Sequence, residues 1–591
     1  MDAELRTMTA PFRDARYAPL RLEVLHREGG EMVLSNPAPY DTRFQTMSAP
    51  LEHWAMKAPG RVWLAERSGG GWRTVTYGEA SDRISAIASG LLAMGVVRQE
   101  PLLILAMNGI DHALIAYAAM SQGMPVAPVS PQYGLRGANP HRLARALEVL
   151  KPAAVYTDDA AMFAEGLMQP GLAGLPVIAS KPNHPRHVPF ERLTKGGHAF
   201  AAAKPTDPAK YLLTSGSTGH PKAVICTHRN IALNSAQNAA CFRDTDPLVM
   251  VNSAPWSHSL GANTMLHQTL HRGGTLYIDH GQPTAARFGE TVQNLREISP
   301  TYQNMVPAGW MLFADELEKD KRLAKRFFER VRHLQYGGAA LGQAVADRIQ
   351  AAAIATVGHR ISFGSGYGAT ETGPTACSVQ WHNDRMGLIG LPLPGTSVRL
   401  VPKDGKLDFR VKGPQVAAGY LGQPEVSARM FDDEGYYLIG DAARLVEPAD
   451  PRQGMVFDGR LSENFKLASG TFVGVGDLRI RAVGAIGSAV TDAVVCGENR
   501  DAVGLLLYPN PKMPRLQVTV AVKAGLEAYN ATARGSGARV ERAVVLLGPP
   551  DAAHGEITDK GYIAQALART LRAAEIARLF ADPPPSDVMV F

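Results

Sequence analysis

The chain has 591 residues, more than one hydrophobic core usually supports, so at least two domains are expected. Its composition, 45% hydrophobic and 20% charged, is that of a folded globular protein and excludes a largely disordered chain. The formal charge of +6, with no run of five or more Lys or Arg, is too diffuse to favour a nucleic-acid-binding protein.

Four cysteines without metal-ligand or redox spacing fit a reducing compartment, and we expect a cytoplasmic protein. The first 19 residues mix acids with arginines and lack an apolar core, which argues against a signal peptide. The most apolar stretch, residues 112–129, is interrupted by positions that exclude a membrane span: Ser121, Gln122, Gly123 and Pro125.

In the first 210 residues, helical patterns alternate with short β-rich runs. A capping-box pattern at Thr76–Glu79 predicts the start of a helix. Its apolar face is predicted to consist of Ile84, Ile87, Leu91 and Leu92. A strand at 102–105, a helix near 113–120 and strands at 126–129, 153–156 and 248–252 follow. This order predicts an α/β fold, with a large N-terminal domain of parallel-rich sheets covered by helices.

A second, smaller unit is predicted at the C-terminal end. The sequence becomes polar and Gly-rich between Met455 and Gly476. Strands at 493–496, 503–508 and 542–547 follow, with helices near 518–529 and 563–577. We therefore predict domains at residues 1–461 and 462–591, the second a mobile α+β lid.

The run from Tyr211 to Val224, YLLTSGSTGHPKAV, places a strand before a loop rich in hydroxyl groups and glycine. Such a loop can surround phosphate oxygens with N–H groups and hydroxyls while Lys222 supplies positive charge. It is not a Walker A loop, because Lys222 lies between Pro221 and Ala223. Ser217 is a poor hydrolase nucleophile, because Ser215 stands where a nucleophile elbow requires glycine. The candidate phosphate-binding residues are Thr214, Ser215, Gly216, Ser217, Thr218 and Gly219.

This loop resembles the signature of the adenylate-forming superfamily, and further elements of that superfamily follow in the expected order. In the run from Tyr367 to Thr372, YGATET, the resemblance implies that Thr370 meets the α-phosphate of ATP and that Glu371 holds Mg²⁺. It implies that Asp441 and Arg460 hold the ribose. The remaining implied site residues are His258 on a pocket wall, Tyr367 in the nucleotide site, and Gly337, Gly338 and Ala339 beside adenine and substrate.

Single motifs leave other interpretations open. Residues 364–369 also fit a loose dinucleotide-binding pattern, although TETGP follows where a helix should begin. His258 alone is more typical of a satisfied buried histidine, Asp441 of a turn acid and Glu371 of a surface charge. The ordered set between residues 211 and 460 favours adenylation chemistry.

Three longer segments resemble bacterial feruloyl-CoA synthetases: residues 51–66, 123–133 and 457–479. That resemblance implies a ligase that joins a hydroxycinnamate to coenzyme A with ATP and Mg²⁺. Its partners are then small molecules, without nucleic acid or membrane, and a homodimer is left open. The alternatives are a ligase for another aryl or medium-chain fatty acid, and a catalytically inert nucleotide-binding protein.

Two positions depart from the wider superfamily. Most members carry a C-terminal Gly-Lys pair, whereas this chain has Lys560-Gly561-Tyr562, and we assign the adenylation lysine to Lys560. The hinge position, commonly Asp or Lys, is Ser462. An aromatic acid needs a flat and mostly apolar slot. Its predicted walls are Trp256, His258, Gln303, Asn304, Gly337, Ala339 and Gly373.

Overall fold

The computed structural model describes residues 10–96, 98–199, 201–215, 221–551, 554–557 and 563–591. The side chains of Ser215 and Ser462 are not described. None of the helices in these ranges is long and apolar enough to cross a membrane.

The structure contains 28 strands within the described ranges. The first fourteen are β1 Glu23–His26, β2 Met32–Ser35, β3 Val62–Ser68, β4 Gly71–Thr76, β5 Leu102–Ile104, β6 Val126–Pro128, β7 Ala154–Asp159, β8 Val177–Lys181, β9 Val188–Pro189, β10 Pro208–Ser215, β11 Pro221–Thr227, β12 Val249–Asn252, β13 Thr275–Ile278 and β14 Tyr302–Met305. The others are β15 His333–Tyr336, β16 Ser362–Tyr367, β17 Cys377–Ser378, β18 Leu388–Pro392, β19 Ser397–Lys403, β20 Lys406–Lys412, β21 Tyr437–Leu445, β22 Met455–Arg460, β23 Phe465–Lys466, β24 Phe472–Val473, β25 Val490–Cys496, β26 Val503–Pro509, β27 Val540–Val545 and β28 Met589–Val590.

Helices connect these strands. They are α1 Ala49–Lys57, α2 Tyr77–Ala93, α3 Ile110–Ser121, α4 Pro140–Leu150, α5 Ala164–Leu167, α6 Phe190–Leu193, α7 His228–Ala240, α8 Gln268–His271, α9 Phe288–Glu297, α10 Pro307–Lys319, α11 Lys321–Phe328, α12 Gln343–Val357, α13 Pro424–Ala428, α14 Val475–Ile486, α15 Arg515–Thr532, α16 Gln565–Leu571 and α17 Ala573–Leu579. A π-helix spans Leu260–His267, and short 3-10 turns include Thr370–Thr372 and Leu461–Glu463.

The helix after β4 begins as the sequence predicts. Thr76 and Glu79 form the capping box at the start of α2, and the Glu79 carboxylate accepts from the Thr76 N–H at 2.8 Å. Ile84, Ile87 and Leu91 are buried on the predicted face. Leu92 is wrongly placed on it: this side chain is 44% exposed, because one further residue rotates it about 100° beyond Leu91.

A seven-stranded sheet has the order β11-β10-β6-β5-β7-β8-β9. All its strand pairs are parallel except β10 with β11. The predicted strand–helix–strand unit lies here, and every residue of α3 except Asp111 is buried. The most apolar stretch of the sequence therefore forms a core helix, α3, and the buried strand β6.

An eleven-stranded sheet has the order β1-β2-β19-β20-β21-β22-β18-β17-β16-β15-β14. Only β14, β15 and β16 pair in parallel, and the rest of this sheet is antiparallel. A four-stranded sheet in the order β12-β13-β3-β4 is parallel except for β3 with β4, and the α/β class is confirmed. The carboxyl ends of β14–β16 share one edge, the usual position of a site in α/β folds.

The C-terminal unit contains a four-stranded sheet in the order β25-β26-β27-β28, with helix α15 crossing between the parallel strands β26 and β27. Its core includes Phe465, Val475, Leu507 and Val522. The single helix predicted at 563–577 is two helices, α16 and α17, separated at Arg572. The guanidinium of this residue bonds to the buried Glu556 at 2.6 Å. The domain boundary at Ser462 stays a prediction.

Candidate active site

The candidate site lies at the carboxyl edge of β14, β15 and β16. Val306 follows β14 directly, and Gly337 and Gly338 follow β15. A Cβ atom on Gly337 would lie 3.7 Å from a Leu260 methyl, and one on Gly338 would lie 3.8 Å from Val306. Gly338 has φ +83°, a conformation that glycine adopts without steric cost. An added methyl at either glycine would therefore be in ordinary van der Waals contact with Leu260 or Val306.

Thr370 and Glu371 lie in the 3-10 turn that follows β16. Their exposed fractions are 9% and 7%, so Glu371 is not a surface charge. The Oγ1 of Thr370 is 3.2 Å from the Oγ of Ser259. Glu371 Oε1 accepts a hydrogen bond from the Tyr420 hydroxyl at 2.9 Å, and its carbonyl accepts from the Ala417 N–H at 2.7 Å. Thr370 and Glu371 are therefore held rigidly by side-chain and backbone contacts.

Tyr420 connects Glu371 to the phosphate loop. The Lys222 ammonium lies 4.9 Å from the centre of the Tyr420 ring, within the range of a cation–π interaction. Burial and the adjacent Glu371 carboxylate raise the pKa of Tyr420, so its hydroxyl is a neutral donor. Sequence reasoning missed Tyr420, because a lone tyrosine in a Gly-rich loop has no diagnostic spacing.

The phosphate loop joins two antiparallel strands. Thr214 of β10 pairs with Lys222 of β11, and Ser215 pairs with Pro221. Lys222 thus returns to lie beside the start of the loop. The predicted residues Gly216, Ser217, Thr218 and Gly219 lie outside the described residues, as does Lys560.

The predicted ribose-binding pair lies on adjacent strands. Asp441 of β21 is the register partner of Arg460 of β22, with Arg460 Nε 3.5 Å from Asp441 Oδ1. The Tyr367 hydroxyl donates to Asp441 Oδ2 at 2.6 Å. Burial first, and then the Asp441 charge, raises the pKa of Tyr367 well above its ordinary value. Asp441 lies within a strand and is 8% exposed, so it is not a turn acid.

His258 lies just before the π-helix and is half-buried. Its Nδ1 accepts a hydrogen bond from the Leu260 N–H at 3.2 Å, which in the neutral ring assigns the proton to Nε2. Two residues further on, Leu260 faces Gly337. Sequence reasoning missed Leu260 and Ser259, although both follow His258 directly along the chain.

Other predicted pocket residues lie in packed regions. Trp256 is 3% exposed and packs edge-on against His112, with ring centres 4.9 Å apart. Gln303 is 1% exposed, and its amide donates to the Val251 carbonyl at 2.7 Å. Asn304 is 4% exposed, because β14 is covered on both faces. None of these three side chains presents an open wall to a substrate in this structure.

The last two predicted pocket residues differ in their surroundings. Gly373 has φ +94°, and a Cβ there would lie 3.1 Å from the Asn234 side chain, so it packs against α7. Ala339 is exposed beside Gly338.

A buried threonine and acid, a lysine over an aromatic ring, and a strand-borne acid–arginine pair form a site suited to an anionic nucleotide. Residues 51–421 match the family model described as AMP-binding enzyme, and residues 480–583 match AMP-binding enzyme C-terminal domain. The first match covers more than half of the chain, and the chain belongs to the AMP-binding enzyme family.

Individual relatives are distant. The long-chain-fatty-acid–CoA ligase FadD15 of Mycobacterium bovis is 26% identical over 529 residues, 81% of this chain and 84% of the relative. A feruloyl-CoA synthase of an Amycolatopsis species is 27% identical over 397 residues, 64% of this chain and 73% of the relative. The crystal structure of ATP-bound MatB from Rhodopseudomonas palustris has a TM-score of 0.71 at 19% identity, covering 90% of this chain and 100% of that chain, and so shares the fold. The predicted class, an acid–thiol ligase of the adenylate-forming type, is confirmed at this coarse level.

Proposed function

We propose that this enzyme activates a hydroxycinnamate such as ferulate as its acyl-adenylate and transfers the acyl group to coenzyme A. The observation that carries the chemistry is the linked set of Lys222, Tyr420, Glu371 and Thr370 beside the acid–arginine pair. A cation, a buried carboxylate and hydroxyl donors are what two approaching anions require.

In the first half-reaction, a substrate carboxylate oxygen forms a bond to the α-phosphorus of ATP. The bond from that phosphorus to the bridging oxygen breaks, and pyrophosphate leaves with the electron pair. Asp441 accepts hydrogen bonds from the ribose hydroxyls, and Arg460 lies beside it at the ribose. Thr370 donates to the α-phosphate, and Lys222 and Lys560 offset the negative charge that develops.

Glu371 fits a divalent cation, because Mg²⁺ prefers one or two carboxylate oxygens together with nucleotide phosphates. Mg²⁺ held by Glu371 would supply charge neutralisation at the phosphates.

In the second half-reaction, the thiol sulfur of coenzyme A bonds to the acyl carbon, AMP leaves with its electron pair, and the thiol proton is released. We propose that the C-terminal unit rotates about Ser462 between the two steps and withdraws Lys560. The Gly470–Gly476 loop is then the proposed wall of the thiol channel.

An aromatic acid is supported by Gly337 and Gly338, which place no side chain at the end of β15 and so leave the nearest room for a ring beside the nucleotide site. The feruloyl-CoA synthase relative supports the same choice. The second candidate is a fatty acid, favoured by the similarity to FadD15 over more of the chain. We also propose a cytoplasmic location, supported by four cysteines that are all buried and unpaired.

A panel of acids tests the substrate. Ferulate, p-coumarate and caffeate are expected to exceed hexanoate and octanoate by at least about 10-fold in kcat/KM, because a flat slot binds a ring with less loss of entropy. Initial rates of thioester formation measure the ratio. Straight-chain acids turning over faster would reject the hydroxycinnamate assignment and leave the ligase class intact.

The variant Gly337→Ala tests whether the ring of the acid lies beside Gly337. The new methyl would meet Leu260 at about 3.7 Å, an ordinary contact that leaves the fold intact but narrows the slot. It is expected to lower kcat/KM for ferulate more than for acetate. An equal effect on both acids would show that the ring does not lie beside Gly337.

A further inference from the structure

A buried lysine outside the proposed chemistry, Lys210, contacts the π-helix whose first turn borders the candidate site. Lys210 lies on β10, five residues before the end of the strand at Ser215, from which the chain enters the phosphate loop. It is 3% exposed and is the register partner of Cys226 on β11. Among the described residues it forms no ion pair with a carboxylate, and burial lowers its pKa to about 8. A buried ammonium without a counter-ion destabilises the fold unless its hydrogen bonds compensate.

Both hydrogen bonds of Lys210 are made to one element. Its Nζ donates to Asn263 Oδ1 at 3.1 Å and to the Ala262 carbonyl at 3.5 Å. Both acceptors belong to the π-helix Leu260–His267. Widened helical turns of this kind are rare and occur frequently at functional sites.

The same π-helix reaches the candidate site at its first turn. Leu260 faces Gly337, and the preceding residue, Ser259, contacts Thr370 at 3.2 Å. A cavity of about 10 Å³ is lined by Lys210, by Trp256 and by Ala262 and Leu266 of the π-helix. The hydrogen bonds of Lys210 supply the directional link between β10 and the π-helix at this point.

We propose that Lys210 is a positioning residue that fixes the π-helix, and with it the Leu260 wall of the acyl site, to the strand leading into the phosphate loop. The proposal rests on the proposed function, because it takes Leu260 to border the acyl group. Lys210 touches neither substrate nor nucleotide. Its effect is therefore expected on recognition of the acid, without an equal effect on ATP.

Lys210→Met tests the link, because methionine keeps the length and removes the donor. The KM for ferulate is expected to rise about 5-fold or more, while the KM for ATP stays within about 2-fold. Lys210→Met/Asn263→Leu removes both partners of the same link, so the ferulate KM is expected to rise no further than in Lys210→Met alone. If Lys210→Met does not fold, Asn263→Leu alone is expected to raise the ferulate KM in the same direction.

Ile178→Val is the matched control. Ile178 is fully buried on β8, four strands away in the same sheet, so its truncation weakens the core without touching the π-helix. It is expected to lower the melting temperature and leave both KM values unchanged. Equal rises of both KM values in Lys210→Met, or an unchanged ferulate KM, would overturn the positioning role. A wild-type enzyme that adenylates no acid would instead overturn the proposed function.

The pH dependence of stability gives a second readout that a merely apolar packing role would not produce. The described groups around Lys210 titrate outside the range from pH 8 to 10.5. Burial lowers the pKa of His112 and His228 to about 4 and that of His267 further, and it raises the pKa of Cys226 to about 12 and that of Tyr117 well above its ordinary value.

Between its folded pKa of about 8 and its ordinary value of 10.5, Lys210 is deprotonated in the folded protein and protonated in the unfolded chain. The unfolded state then binds more protons, so stability increases with pH in this window. The free energy of unfolding of the wild type, relative to Lys210→Met, is expected to rise from pH 8 to 10.5 in denaturant titrations. If the difference in free energy of unfolding between the wild type and Lys210→Met does not change with pH, Lys210 is not buried in this contact and the proposal is wrong.

Discussion

Lys560→Ala is expected to abolish most acyl-adenylate formation while still converting supplied acyl-adenylate and coenzyme A to thioester. In adenylation the substrate carboxylate approaches the negatively charged triphosphate of ATP. A lysine at the reacting phosphate therefore stabilises that transition state directly. Thioester formation has no such requirement, because a neutral thiol approaches a mixed anhydride. The two half-reactions are measured separately, the first by pyrophosphate exchange and the second by thioester release from synthetic adenylate.

Lys466→Ala is the matched control for this experiment. Lys466 is an exposed lysine of the same C-terminal unit, 3.8 Å from the Asp404 carboxylate. Its loss is expected to leave pyrophosphate exchange intact. If Lys466→Ala loses pyrophosphate exchange and Lys560→Ala retains it, the adenylation role belongs to Lys466. If both half-reactions fall equally in Lys560→Ala, Lys560 has no selective role in adenylation.

Glu371→Gln is expected to lower overall turnover about 100-fold, roughly 3 kcal/mol of transition-state stabilisation. The buried amide can still accept the hydrogen bond that Tyr420 donates to Glu371, so the turn around Thr370 should persist. What is lost is the negative charge that holds a divalent cation at the phosphates. The Mg²⁺ concentration for half-maximal rate should therefore rise together with the fall in turnover.

Glu66→Gln controls for the loss of a carboxylate elsewhere. Glu66 is a partly buried acid of β3 that pairs with Arg73 at 2.8 Å, away from the candidate site. The turnover rate and Mg²⁺ dependence of Glu66→Gln are expected to match those of the wild type. An unchanged rate and Mg²⁺ dependence in Glu371→Gln would exclude the metal role.

Thr370 and Glu371 are adjacent in a contiguous motif, and the family resemblance assigned both to the site. The structure shows that both are buried, and their roles toward ATP and Mg²⁺ stay predictions. Asp441 and Arg460 could be paired in advance only through a family resemblance, since their contact depends on the register of β21 and β22. Tyr420 and Leu260 were missed because each acts across a tertiary contact that no spacing rule encodes.

The predicted pocket walls were limited in a similar way. A four-residue strand such as β14 is too short to reveal which side chains face a site, and here both faces are covered. Gln303 could be expected either to hydrogen-bond a phenol or to serve the backbone, and its amide donates to the Val251 carbonyl. Similarly, the break between α16 and α17 depends on the Arg572–Glu556 contact, which a smooth helical periodicity does not reveal.

Acid-dependent exchange of labelled pyrophosphate into ATP tests the central claim most directly. It requires only the first half-reaction and no coenzyme A, so it reports formation of an acyl-adenylate and nothing later. The wild-type enzyme is expected to exchange label in the presence of ferulate, ATP and Mg²⁺, and to show none without the acid. Exchange that is absent with every hydroxycinnamate, benzoate and fatty acid tried would contradict the account and leave an inert nucleotide-binding protein.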